Sequence, residues 1–377
     1  MFNIINFQTP SIIFGMDTLN QVGIEAKKLG AKKVLFVTGP NVQKNGFVEK
    51  VESLLEKESI EVKVVMPSRN TPEPTTDIPE VLKDIAKEMG ADLVIGMGGG
   101  SVLDVAKMTA ALMNNPLTVR EYFGKEKVPN KGLPTILIPS TSGTGSEVTK
   151  HAIFLDEKAN VKKAVASSNI LPTVAIIDPL TTITCPQKVT AASGFDAFLH
   201  AAEPFISKSA NPLTDVIALE AISMITKWIG PAYADGENTE ARYYMSLGSL
   251  LAGLVLNNSG TSLVHALAYP IGGEYHVPHG PSLTCLVNPE KFTQIAKAMG
   301  ENVEGLSNRE GAKLALDAIN EVLLRLNLPR SLTDLNITDK SKVDKWAIDG
   351  HSEQRLLSRS ARKLSVEDIK KIYLNAF

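Results

Sequence analysis

Asp92-Leu93-Val94-Ile95-Gly96-Met97-Gly98-Gly99-Gly100-Ser101, followed at once by Val102-Leu103-Asp104-Val105-Ala106-Lys107, decides how this 377-residue chain folds. The opening run is apolar without alternation, as in a strand buried on both faces, and the closing run spaces its apolar residues for a helix. Between them, Gly98, Gly99 and Gly100 let the backbone approach a ligand closely. The helix that opens at Ser101 turns unpaired N–H groups and its positive dipole end toward the same point, which suits a pyrophosphate. The spacing is neither the GxGxxG fingerprint nor a phosphate loop ending in Lys-Ser/Thr, so a tight turn that only closes a strand–helix unit competes with this reading.

The pattern extends outward on both sides. Residues 33–38, 62–66, 135–138 and 174–178 are further β-branched runs, with helical spacing between them through Val48, Val51 and Leu55 and through Ile78, Leu82 and Ile85. Residues 67–79 form a loop rich in Pro, Thr and Ser. Strand–helix–strand units of this length imply right-handed crossovers and a parallel sheet. After Pro186 the texture changes: residues 190–206, 214–228, 241–256, 310–326 and 365–376 carry helical spacing, and Ser365 with Asp368 forms a capping box for the last helix. The expected fold class is therefore an α/β domain with a parallel sheet over residues 1–185, plus an all-α domain over residues 186–377.

Composition narrows the partners. Basic residues number 39 against 41 acidic, for a net charge of −2, so neither a nucleic-acid backbone nor an anionic membrane finds an excess of cations. Any phosphate must be bound locally. The 2 cysteines, 100 positions apart, build neither a disulfide framework nor a thiolate cluster. A reducing, cytoplasmic setting is therefore expected, and residues 1–10, which lack a charged segment leading into an apolar one, read as untargeted. The cluster Arg355, Arg359, Arg362 and Lys363 reads as a solvated face.

A second loop reinforces the first. Pro139-Ser140-Thr141-Ser142-Gly143-Thr144-Gly145-Ser146-Glu147 follows a strand with five hydroxyls and two glycines. At the carboxyl edge of an open sheet, such groups can hold phosphate and ribose. Two loops of this kind make a dinucleotide the economical ligand. The strand over residues 33–38 runs into Gly39 with no carboxylate at its tip, which leaves both NAD and NADP permitted.

In the second half, Asp196 and His200 stand four apart on one helix face. His265 lies on a helix expected to end at Pro270, and His279 sits in a Pro-His-Gly turn. One carboxylate with three imidazoles is a donor set for Fe²⁺ or Zn²⁺. Each residue alone is more often structural; a dinucleotide-binding half upstream shifts the balance to a metal.

Taken together, Gly98-Gly99-Gly100-Ser101-x-x-Asp104-x-Ala106-Lys107, Thr144-Gly145-Ser146-Glu147, Gly194-x-Asp196-x-x-x-His200 and the segment from Val264-His265 to Pro278-His279-Gly280 resemble the iron-containing (group III) alcohol dehydrogenases over nearly the whole chain. The resemblance implies a dinucleotide-binding α/β domain, a helical domain, and a cleft holding NAD or NADP and one divalent metal, Fe²⁺ ahead of Zn²⁺, commonly in a homodimer. It implies Asp196, His200, His265 and His279 as metal ligands and Gly98, Gly99, Gly100 and Ser101 at the pyrophosphate. Thr141, Ser142 and Thr144 would meet the phosphate and nicotinamide side and Lys162 the ribose; Asp104 and Lys107 complete the signature, and Gly39 stands where NAD-preferring members often carry Asp. Tyr269 replaces a second His that many members place near the nicotinamide, so proton transfer falls to Tyr269 or to His276; a phenol is the poorer base at neutral pH. The implied reaction is hydride transfer between nicotinamide and a small alcohol or aldehyde whose oxygen meets the metal. Alternatives are a glycerol dehydrogenase-like or dehydroquinate synthase-like enzyme of the same superfamily, or a non-catalytic nucleotide- or metal-binding protein. Phe198, Leu256, Tyr269 and Tyr275 either line a small apolar pocket or belong to the core.

Overall fold

The computed structural model describes residues 4–67, 74–158, 161–275 and 288–377. Contacts divide them into two compact units, Gln8–Cys185 and, with residues 4–7, Pro186–Phe377. Among the described residues no single helix is long and apolar enough to cross a membrane.

The first unit contains strands β1 (Ser11–Phe14), β2 (Lys33–Val37), β3 (Glu61–Val65), β4 (Leu93–Gly98), β5 (Gly124–Lys125), β6 (Thr135–Pro139), β7 (His151–Asp156), β8 (Val161–Ala166) and β9 (Val174–Ile177). Its helices are α1 (Val22–Lys28), α2 (Pro40–Lys44), α3 (Phe47–Glu56), α4 (Asp77–Met89) and α5 (Gly100–Leu112). Six strands form a parallel sheet in the order β1-β9-β6-β4-β2-β3. Every residue of β4 is buried, which is why its sequence is apolar without alternation. Leu35, Val37, Val94 and Leu137 face one apolar cluster with α4 and α5; Val34, Phe36, Ile95 and Ile138 face another with α1 and α3. The chain runs β2 to β3 on one side and then crosses to β4 on the other. That reversal is a topological switch point, and the carboxyl ends of β2 and β4 are where an open sheet binds ligands.

Two features depart from expectation. The strand β1 and the antiparallel pair β7–β8, which with β5 forms a separate three-stranded sheet, have no counterpart in the sequence reading. Helix α4 begins at Asp77, inside the stretch expected to be loop, with Pro79 in its first turn where a missing N–H costs nothing.

The second unit is helical among its described residues: α6 (Gln187–Ile206), α7 (Pro212–Ala234), α8 (Thr239–Ser259), α9 (Leu263–Tyr275), α10 (Pro289–Ala298), α11 (Asn308–Arg325), α12 (Val343–Ser352), α13 (Gln354–Leu357) and α14 (Val366–Asn375). One core joins Phe195, Phe198 and Phe205 of α6 with Ile222, Ile225 and Ile229 of α7 and Ile319 of α11; a second gathers Leu267 and Tyr269 of α9 around Trp346, Ile369 and Tyr373. The capping box of Ser365 and Asp368 is present, each accepting from the other's backbone N–H.

Pro270 does not end its helix; it lies inside α9. A proline in a helix interior removes one N–H and disturbs the carbonyls of the preceding turn. Here the buried Tyr373 hydroxyl donates to the Leu267 carbonyl at 2.7 Å, so packing against α14 satisfies a polar group in that turn.

Candidate functional site

Three loops meet at the carboxyl edge of the large sheet. The Thr38 hydroxyl, at the tip of β2, donates to the Met97 carbonyl at 3.0 Å, and the Ser140 N–H, beyond β6, donates to the Gly98 carbonyl at 2.9 Å. Gly99 is the N-cap of α5, so the helix opens at Gly100, one residue earlier than the sequence suggested. A Cβ on Gly98 would come within 2.8 Å of Val102, and one on Gly100 within 2.7 Å of Thr144. A Cβ on Gly39 would reach van der Waals contact with Val102 at 3.8 Å, and one on Gly99 would do so with Thr141 at 3.8 Å. Gly39, Gly98–Ser101, Thr141 and Thr144 are thus brought onto one edge, with the free N–H groups of α5 among them. Lys162, by contrast, lies on β8 of the smaller sheet, opposite Leu155.

Asp104 and Lys107 face the protein interior. Lys107, 1% exposed, donates to the carbonyls of Ser146 at 3.1 Å and Thr149 at 3.4 Å and to that of His151, and pairs with Asp104 at 3.0 Å. Asp104 also accepts from the Ser146 hydroxyl at 2.6 Å and from the Ile153 N–H at 2.9 Å. These contacts staple the loop after β6 to α5. Burial lowers the Lys107 pKa despite Asp104, and burial pushes Glu147 up to about 7 against the pull of its own backbone N–H and of Lys107.

In the helical unit a second cluster forms. His200 Nε2 and His265 Nε2 are 3.2 Å apart, and Asp196 Oδ1 lies 3.6 Å from the first and 3.7 Å from the second. The three atoms could share one metal ion. Donors at about 2.0–2.1 Å from a tetrahedral ion lie roughly 3.4 Å from one another, so this triangle has the dimensions of three corners of such a site. Asp196 and His200 meet because four residues complete one turn of α6. His265 joins them from the first turn of α9. Its other nitrogen, Nδ1, is 2.5 Å from Glu203 Oε2, and Glu203 is wholly buried. Burial opposes a charged imidazole, but Glu203 and Asp196 outweigh it and the His265 pKa is raised to about 9.

Residues 9–179 match the model of the family described as iron-containing alcohol dehydrogenase, and residues 190–377 match that of its C-terminal domain. The chain belongs to the iron-containing alcohol dehydrogenase family. As a member it is an alcohol dehydrogenase, an oxidoreductase acting on CH–OH groups. It is 38% identical over 376 residues to long-chain-alcohol dehydrogenase 1 of Geobacillus thermodenitrificans, covering 96% of this chain and 94% of that protein. It is 31% identical to the NAD-dependent methanol dehydrogenase of Bacillus methanolicus, over 98% of this chain and 99% of that one. The crystal structure of a 1,3-propanediol oxidoreductase superposes with a TM-score of 0.94 at 34% identity, covering both chains completely.

For this alcohol dehydrogenase the remaining expected residues divide sharply. His276 and His279 lie outside the described residues. Tyr269 is buried in the second helical core, where burial raises its phenol pKa; the Arg355 guanidinium bonded to it pulls the other way. Phe198 belongs to the first core. Arg359 is not simply part of a solvated face: its Nη1 donates to the Thr261 carbonyl at 3.2 Å, in the break between α8 and α9. Sequence reasoning missed Glu203. The available signal was its spacing, three residues after His200 and seven after Asp196, which keeps all three on one face of α6.

Proposed function

We propose that this chain interconverts a small alcohol and its aldehyde with NAD or NADP at a divalent metal centre held by Asp196, His200, His265 and His279. The observation that carries the reading is the convergence of Asp196, His200 and His265 within 3.2–3.7 Å of one another. Two imidazole nitrogens and a carboxylate oxygen fit either Fe²⁺ or Zn²⁺, with Fe²⁺ favoured by the family. When bound, such an ion supplies Lewis-acid polarisation of the substrate oxygen, and the nicotinamide accepts or delivers the hydride.

The chain's own groups do the positioning. Gly98, Gly99, Gly100 and Ser101 offer close backbone approach and helix N–H groups to the pyrophosphate, and Thr141, Ser142 and Thr144 offer hydroxyls beside it. Lys162 is assigned to the ribose. Asp104 and Lys107 hold the 144–149 loop in place rather than touching the dinucleotide. The half-buried Gly39 at the end of β2 leaves room for a 2′-phosphate, so both cofactors are accepted, and the NAD-dependence in the name of the Bacillus methanolicus relative puts NAD first. Tyr269, its pKa raised above the ordinary value of 10, stays protonated at neutral pH and serves as a hydrogen-bond donor. The role of base therefore goes to His276. A cytoplasmic homodimer is the setting we attach to this reading.

Replacing His265 with Ala is expected to abolish both metal retention, read by elemental analysis, and aldehyde-dependent oxidation of NAD(P)H at 340 nm. Undiminished turnover by that variant in the presence of a chelator would sink the reading. A wild-type protein that carries metal and binds NAD(P)H but oxidises it with no aldehyde or alcohol partner would favour a binding protein instead.

A further inference from the structure

Glu203 is the most deeply buried carboxylate beside the metal-ligand triangle, at 0% exposure, and its hydrogen bonds among the described residues are with donors at the start of α9. Its Oε1 accepts from the Val264 N–H at 2.5 Å and from the Ser262 hydroxyl at 3.5 Å. Its Oε2 lies 2.5 Å from His265 Nδ1 and 3.5 Å from the Ser262 N–H. Arg359, held at the Thr261 carbonyl, adds a cation to its surroundings. A carboxylate taken out of water in this way is tolerated only when donors surround it, and the first turn of a helix presents N–H groups that have no partner within the helix.

We propose that Glu203 is the positioning residue of the metal centre: it holds His265 in the tautomer protonated on Nδ1, leaving the Nε2 lone pair as the donor, while the same carboxylate caps α9. The argument rests on the reading of Asp196, His200 and His265 as metal ligands. An ionised carboxylate can only accept, so the nitrogen facing it must carry the proton. When a metal takes the place of its second proton, the opposite nitrogen is the lone-pair donor, and it is the one that sits 3.2 Å from His200 Nε2. Fixing tautomer and ring orientation through the second nitrogen is how outer carboxylates tune imidazole ligands elsewhere. What this chain adds is that one group does both tasks, tying the ligand of α9 to the helix that carries Asp196 and His200.

Glu203→Gln tests the assignment because an amide cannot accept on both of its termini. If its NH₂ faces Nδ1 it selects the wrong tautomer; if it faces Val264 it meets an N–H head-on and loosens the first turn of α9. Co²⁺ is the probe, its dissociation constant measured on the full chain by chelator competition. The expected result is binding about 10–100-fold weaker than wild type in Glu203→Gln, and a smaller loss in Glu203→Asp, which keeps the charge but falls one methylene short. The far-UV spectrum of the metal-free protein should be unchanged. Binding within twofold of wild type in the variant that folds would overturn the proposal and reduce Glu203 to a helix cap.

A second reading needs no variant. In the Co²⁺-loaded wild type, the shifted Nδ1–H signal of His265, recognised by its dipolar cross-peak to the Val264 amide, should exchange slowly with ²H₂O because Glu203 shields it. Rapid exchange would overturn the proposal even if neither variant folds. Failure of the wild type to bind Co²⁺ at all would instead overturn the metal reading beneath it.

Discussion

Around Lys107 a buried cation is met by three carbonyls and a carboxylate, and the carboxylate is met in turn by a hydroxyl and a backbone N–H. Around His265 the arrangement differs: two imidazole nitrogens and a carboxylate oxygen lie within 3.2–3.7 Å of one another, close enough to share one metal ion. The first cluster is closed, its charges answered by the protein itself. The second is open in the sense that its three donor atoms gather where one metal ion could sit. Both are buried and both contain Asp beside a basic side chain, so burial and composition do not separate structural charge from functional charge. Convergence of like polarity does.

The largest effect expected from this contrast comes from breaking the closed cluster. Lys107→Met should destabilise the metal-free protein by about 3–5 kcal/mol, since Asp104 and the loop carbonyls lose their buried partner. Metal content should stay at the wild-type level. Asp196→Asn should do the opposite: a change of under about 1 kcal/mol in the metal-free protein, with severe loss of metal. Urea unfolding followed by circular dichroism, beside elemental analysis, checks both. Equal destabilisation by the two variants would erase the distinction between closed and open.

A smaller effect separates Glu147 from the ion pair it sits beside. Its pKa is raised from 4.5 to about 7 by burial, so between those values the folded protein holds a proton that the unfolded chain has released. The group's contribution to stability is complete below pH 4.5 and is lost as pH rises through 7. Glu147→Gln keeps the neutral shape at every pH. Its stability relative to wild type should therefore rise from pH 5 to pH 8, by up to about 3 kcal/mol. A difference that stays flat over that range would show that Lys107 keeps Glu147 ionised throughout.

The two clusters were unequally legible. The central strands β2, β4, β6 and β9 were plain because burial on both faces leaves an unbroken apolar signature, and the helices of the second unit because their stripes repeat over four or more turns. Strand β1 is four residues long and largely half-exposed, and β8 carries Lys162 and Lys163 in its middle, so neither announces itself by hydrophobicity. Asp196 and His200 could be paired by helical spacing, and His265 was legible as a further imidazole donor before the resemblance implied it as a ligand. Glu203 shares their helical spacing, but it stands in Ala201-Ala202-Glu203-Pro204, where nothing local marks it, and its partners are 59–62 residues away. Pro270 misled for a related reason, since the hydroxyl that supports its turn comes from Tyr373, 106 residues from the carbonyl it serves.

The smallest effect lies at the sheet edge and concerns how tightly the closed cluster holds the loops proposed to meet the cofactor. Adding a methyl group at Gly100 places it 2.7 Å from the Oγ1 and Cγ2 atoms of Thr144 and 3.0 Å from its Cβ, too close for a rotamer change alone to relieve. The loop carrying Thr144 must move, yet Ser146, two residues on, is fastened to Asp104 and Lys107. Gly100→Ala should therefore cost about 1–2 kcal/mol as overpacking and raise the KM for NAD(P)H severalfold, with metal content unchanged. Thr144→Ala removes the two nearest colliding atoms and leaves only the Cβ at 3.0 Å, so in the Gly100→Ala background it should restore most of the stability while leaving the KM elevated, because a hydroxyl assigned to the cofactor is gone. Recovery of the wild-type KM in the double variant would show that Thr144 only fills space. No effect of Gly100→Ala on either quantity would mean that the loop yields freely, and that the contacts of Lys107 do not hold it.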